Sequence, residues 1–145
     1  AFAWAIPMAF AAVTGGIPGY AWLLSVATLV WALIYDTQYA MVDREDDLKI
    51  GIKSTAILFG EQDRLVIGLL QVLMLGLMMW IGLLAERGLF FFGGLAVASG
   101  LALYQQILIR ERAPGPCFKA FLNNNYFGMA IFVGLVIDYA FAAGA

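Results

Sequence analysis

Histidine is absent from this 145-residue chain, and cysteine occurs once, as Cys117. Those absences remove His-ligated zinc, haem held by imidazole, imidazole general bases, an internal disulfide and any cysteine-based metal site. Charge is also scarce: 18 residues, or 12%, against roughly 25% in soluble domains. No basic patch interleaved with aromatics exists, so nucleic-acid binding is excluded. Strict alternation of apolar and polar residues is missing too, which argues against a membrane β-barrel.

What remains is 63% hydrophobic, with mean hydropathy +0.89. That composition describes an all-α protein, a multi-span transmembrane helix bundle. Five apolar segments are expected, at about 2–14, 17–35, 65–85, 89–109 and 126–143. The last four approach the roughly 20 residues that cross a bilayer core. The opening AFAWAIPM has no initiator Met and no basic region. It does not look like a signal peptide and reads as an interior cut, with the N-terminal part missing.

The loops 36–64 and 110–125 lie on one side of this drawing and hold 7 of the 8 Lys and Arg residues. By the positive-inside rule that side is the cytoplasm. Aromatics near the segment ends, such as Trp22, Trp31, Tyr35, Trp80 and Tyr139, form the expected interfacial belt.

The scarce charge is concentrated. Eleven of the 18 charged residues fall between Asp36 and Arg64, and Asp43-Arg44-Glu45-Asp46-Asp47 packs four carboxylates into five residues. On a helix Asp36, Asp43 and Asp47 share one face, with neighbours roughly 5–6 Å apart, and Asp46 flanks it. Such a stripe can present oxygens to Mg²⁺, which favours one or two carboxylates plus water and substrate phosphate. A solvated loop whose acids avoid the membrane, with Arg44 and Lys49 as partners, explains the spacing as well. A calcium EF-hand does not: its sixth position would be Leu48 and its twelfth Ser54. The following Gly51-Ile52-Lys53-Ser54-Thr55 is not a phosphate-binding Walker loop, since the upstream glycine is replaced by Asp47. Lys53 could still meet an anion or simply set topology, and Ser54 and Thr55 could cap a helix.

Taken together, Tyr35-Asp36-Thr37-Gln38-Tyr39-Ala40-Met41-Val42-Asp43-Arg44-Glu45-Asp46-Asp47 and Gly51-Ile52-Lys53-Ser54-Thr55-Ala56 resemble the second aspartate-rich motif of the UbiA-type membrane prenyltransferases. The match looks most like the 4-hydroxybenzoate branch of ubiquinone biosynthesis and runs almost without gaps to Gly60. The resemblance implies a UbiA-like bundle, with about five of an expected nine helices present. It implies a Mg²⁺-dependent enzyme, with polyprenyl diphosphate and 4-hydroxybenzoate as substrates and the lipid bilayer as surroundings. Asp43 and Asp47 become the metal carboxylates, and Asp36 joins them as a catalytic residue. Lys53, Arg44, Tyr35 and Tyr39 become substrate-binding residues. The family's first motif, N-D-x-x-D-x-x-x-D, is not present in this sequence, and an isolated piece is expected to be inactive. Many relatives outside this branch carry lysine where this chain has Tyr39. The implied location is a bacterial inner membrane with the acidic loop cytoplasmic. Alternatives are another acceptor within the superfamily, whether aromatic, quinone precursor or haem, or a cation-transporter fragment. A transporter would place acids inside the spans, and these spans are nearly free of them.

Outside the motif, Asp138 is expected to be solvated at the outer interface, and Gln71, Gln105 and Gln106 to hydrogen-bond between helices. Asn123-Asn124-Asn125 reads as a helix cap before the fifth segment, and Arg110, Arg112 and Lys119 as topology-setting cations.

Overall fold

The computed structural model describes residues 2–142, and these are helical almost throughout. A 3₁₀ turn leads into α1 (Ala5–Thr14). The long helices are α2 (Gly19–Val42), α5 (Asp63–Leu84), α6 (Leu89–Leu108) and α7 (Pro114–Ala142). Two short helices, α3 (Arg44–Ile50) and α4 (Thr55–Phe59), bridge α2 to α5. Among the described residues, four helical stretches are long and apolar enough to cross a membrane, one in each long helix. The first apolar segment is too short to do so.

Local chemistry explains the punctuation. Gly15, at φ +73°, closes α1 in the left-handed region that a side chain disfavours. Pro18 is extended and starts α2, and Pro114 opens α7 where its missing N–H costs no helical bond. The long helices run up and down. Consequently the C-terminal ends of α2 and α6 and the N-terminal ends of α5 and α7 lie together.

The core is a seam of Ile34, Ile67, Met74, Leu95, Ala98, Phe127 and their neighbours. The most extensive pairing is α6 with α7. Glycine makes that approach possible: a Cβ on Gly94 would lie 2.5 Å from the Ala130 carbonyl oxygen. The outer surface carries exposed Leu65, Leu69, Val72, Leu103, Ile107 and Phe132, which suits hydrocarbon surroundings.

Two expected boundaries shift. Residues 36–64 are not one loop: α2 continues through Asp36 to Val42, and α3 and α4 follow. The fifth segment begins not at 126 but at Pro114, and its expected end at 143 lies outside the described residues. Asn123, Asn124 and Asn125 are therefore inside α7 rather than capping it.

Polar partners supplied by neighbouring helices explain that extension. Asn124 Nδ2 donates to Gln38 Oε1 at 2.6 Å, and Asn124 Oδ1 accepts from Trp31 Nε1 at 3.1 Å. Gln105 Oε1 accepts from both Gln38 and Gln71, at 3.0 and 2.9 Å, and Gln105 Nε2 donates to Asn123 at 3.1 Å. Gln106 adds a bond to Gln71 Oε1 at 2.9 Å. This amide network joins all four long helices, so the glutamines expected to link helices do so.

At the opposite end Asp138 is buried, not solvated. Its carboxylate accepts from the Gly88 N–H at 2.8 Å and the Phe91 N–H at 3.5 Å, satisfying the free amides at the start of α6.

Candidate functional site

The acidic motif lies where α2 gives way to α3. Asp43 ends the first helix and begins the second, at φ −92° and ψ 5°. Its carbonyl accepts from the Asp46 and Asp47 N–H groups at 3.0 and 2.9 Å. Asp43 and Asp47 therefore sit one helical turn apart. Asp36 lies about two turns earlier, on the exposed side of α2.

Pairing divides the acids into two groups. Asp46 bonds Lys49 at 2.9 Å in full solvent, and that ammonium holds the Asp46 carboxyl below its ordinary range. Asp63 is wholly buried and carries two arginines. Arg44 Nη1 donates to it at 3.0 Å, Arg112 Nε at 2.9 Å and Arg112 Nη2 at 2.8 Å. Asp36, Asp43 and Asp47, by contrast, make no side-chain hydrogen bond or ion pair among the described residues. They are open acceptors at one end of the bundle.

Asp63 escapes the sequence reading, and Arg112 does more than orient the helices. Together they tie the α2–α3 junction, the start of α5 and the α6–α7 connection. Arg112 sits at φ +56° and also donates to the Glu61 carbonyl at 2.6 Å. Its guanidinium is pushed further up in pKa, chiefly by the Asp63 hydrogen bond. A left-handed conformation costs a non-glycine residue roughly 1–2 kcal/mol, and these charge-assisted bonds offset it.

The remaining expected residues surround the motif. Tyr35 and Tyr39 on α2 meet Phe121 on α7 edge-on, at ring separations of 6.3 and 5.2 Å. Phe118 stacks on Phe121 at 6.0 Å. An aromatic wall thus adjoins the face that carries Asp36. Lys53 is exposed in the α3–α4 connection and makes no ion pair among the described residues. Ser54 occupies the cap position of α4, yet its side chain makes no cap hydrogen bond, and its Oγ is buried without a partner.

No group of three acidic, histidine or cysteine side chains converges among the described residues, so there is no closed metal cage. The donor set fits a hard cation that retains open positions. Two adjacent carboxylates, with neither sulfur nor imidazole beside them, suit Mg²⁺ completed by water and phosphate oxygens.

An all-helical bundle whose long helices are apolar and of bilayer-crossing length defines an integral membrane protein, and its carboxylate-rich turn lies at one end of that bundle. The family model described as the UbiA prenyltransferase family matches residues 1–134, and the chain belongs to that family. It is 60% identical over 142 residues to the 4-hydroxybenzoate octaprenyltransferase of Methylococcus capsulatus, covering 98% of this chain and 49% of the relative. The protein of the same name from Nitrosococcus oceani is 60% identical over 139 residues, covering 96% and 49%. That of Providencia stuartii is 52% identical over 139 residues, covering 96% and 48%. The chain spans about half the length of these curated relatives. No solved structure matches it.

Proposed function

We propose that the chain supplies the second acidic motif of a membrane enzyme that transfers a polyprenyl group from polyprenyl diphosphate to 4-hydroxybenzoate. The allylic carbon–oxygen bond breaks and diphosphate leaves. A bond forms to the ring carbon ortho to the hydroxyl, and that carbon loses its proton. Bound Mg²⁺ would neutralise the diphosphate and act as a Lewis acid toward its departing oxygens.

Asp43 and Asp47 would hold the metal, and Asp36, about two turns earlier on α2, would act from outside that pair. Arg44 keeps one amino group on Asp63 and turns its remaining N–H groups toward the diphosphate, with Lys53 as a second cation. Tyr35 and Tyr39 line the path of the prenyl chain, where their ring faces favour developing positive charge. The apolar helices keep water from the cation. Carboxylates of the N-D-x-x-D-x-x-x-D type complete the clamp from outside these 145 residues, which form the C-terminal portion of one transmembrane domain. The motif faces the cytoplasm of a bacterial inner membrane, on the side where the lysines and arginines gather.

The observation that carries this reading is the division of the acids. Among the described residues Asp36, Asp43 and Asp47, which match the family motif, have no side-chain partner, and neither has Glu45 between them, while Asp46 and Asp63 are committed. The test is a prenyl-transfer assay in membranes, using the complete gene product that contains this chain, with 4-hydroxybenzoate, polyprenyl diphosphate and Mg²⁺. Asp43→Asn should lose about 10²-fold or more in turnover, the cost of removing one preorganised electrostatic partner. Asp46→Asn, at matched expression, should lose less than about tenfold, as expected of a solvent-exposed pair. No product from folded wild type would discard this acceptor. Equal losses in the two variants would discard the assignment of roles.

A further inference from the structure

The four long helices are not packed evenly. α6 lies closely along α7 and α2 along α5, whereas α5 and α6 touch sparsely. Two hollows of about 450 and 410 Å³ open between α5 and α6, and both are lined by Leu75 and Ser99, so they form one groove. It runs from Arg64 at the motif end to Met79 toward the other. Fifteen residues separate Arg64 from Met79, which at helical rise is about 22 Å. That exceeds the roughly 15 Å depth of one leaflet's hydrocarbon and matches an extended acyl chain.

The walls are apolar apart from Ser99 in the middle and Gln71 and Gln106 toward the Arg64 end. There Arg64 is the one charged residue that lines the groove, and no carboxylate shares it. Arg64 Nε is buried and has no hydrogen-bond partner among the described residues. Gly68 and Gly76 keep the α5 wall low. Residues of α2, α3 and α7, which carry the acidic motif and its aromatic wall, do not line it.

We propose that the α5–α6 groove binds an anionic phospholipid, with the phosphate on Arg64 and one acyl chain laid along Gly68, Val72, Leu75 and Met79. A single cation at one end of an apolar groove deeper than one leaflet complements an anionic head on a hydrocarbon chain. The side of the bundle agrees: Arg64 belongs to the Lys- and Arg-rich end, where a cytoplasmic leaflet presents its anionic lipids. The inference does not depend on the prenyl-transfer reading.

The test is lipid binding to the delipidated complete gene product in detergent, followed by native mass spectrometry. Dioleoyl phosphatidylglycerol and dioleoyl phosphatidylcholine are the probes. Wild type should bind the anionic lipid about fivefold more tightly, the factor expected from one near-surface arginine. Arg64→Gln should abolish that preference, and Arg64→Lys should retain part of it. Gly76→Leu should weaken binding of both lipids, because it fills the groove. A Cβ at Gly76 meets nothing within 4 Å, so the fold tolerates the side chain, and a thermal melt checks this. No headgroup preference in wild type, or a preference that survives Arg64→Gln, would overturn the proposal. So would unchanged binding in a folded Gly76→Leu variant. Displacement of phosphatidylglycerol by an equal concentration of geranylgeranyl diphosphate would assign the groove to the prenyl substrate instead.

Discussion

Replacing Asp63 with Asn leaves the side chain's shape but removes the charge shared by Arg44 and Arg112. The carboxylate is fully buried, while the two arginine side chains keep 26% and 32% exposure. Breaking a fully buried ion pair costs about 3–5 kcal/mol, and an exposed one at most about 1 kcal/mol. Partial solvation of both guanidiniums places Asp63→Asn between these limits, at about 2–3 kcal/mol. The assay is unfolding in mixed micelles titrated with SDS and followed by circular dichroism. A cycle with Arg112→Gln should give a coupling of about 1–2 kcal/mol, since the two groups touch. The loss should also be visible locally. Arg44 is the first residue of α3, so amide hydrogen exchange across 44–50 should accelerate more than exchange in the middle of α6. A destabilisation under about 0.5 kcal/mol would refute the triad as the strut of the acidic motif. Unchanged exchange in α3 would refute it equally.

Gln105→Leu removes three interhelical bonds at once, and at roughly 0.6 kcal/mol each in a membrane it should cost about 2 kcal/mol in the same unfolding assay. Lys49→Ala should raise the Asp46 titration midpoint toward its ordinary value, read by carboxyl carbon NMR. With the carboxyl held low and the ammonium held high, the pair forms above the depressed Asp46 titration and disappears above the raised Lys49 titration. Both groups are in solvent, so global stability should not follow either change.

The apolar runs were legible because a bilayer-spanning helix needs a long stretch with few charges, and each of the four long helices contains one. Their ends were harder to read for a physical reason. Asp36 and Asn123 to Asn125 look like loop chemistry, yet each sits inside a helix. Asn124 finds Gln38 and Trp31 across the bundle, 86 and 93 residues away in sequence. Asp138 was misread in the same way, since the amides it caps lie 47 and 50 residues upstream. Asp63 gave no signal at all. Beside Arg64 it looks like another loop charge, and its real partners are 19 and 49 residues distant. The acidic motif was readable from its spacing and its resemblance, but which of its acids remain unpaired was not.

That last distinction explains how a carboxylate-rich turn can be stable in a largely apolar protein. Asp43 and Asp47 are like charges one turn apart, an arrangement that destabilises an isolated helix by about 0.2–0.5 kcal/mol. Two features offset this before any cation arrives. Asp46 and Asp47 lie in the first turn of α3, where the helix dipole favours negative charge, and Lys49 lies in the last turn, where it favours positive. The Arg44–Asp63–Arg112 cluster then adds a net positive charge immediately beside Asp43, anchored in the core. The protein therefore does not need to pair the motif acids with one another's counter-ions to hold the turn together. It holds the turn through Arg44 and leaves the Asp43 and Asp47 carboxylates half-buried and without side-chain partners among the described residues, so positive charge supplied there would relieve their repulsion without breaking an existing bond.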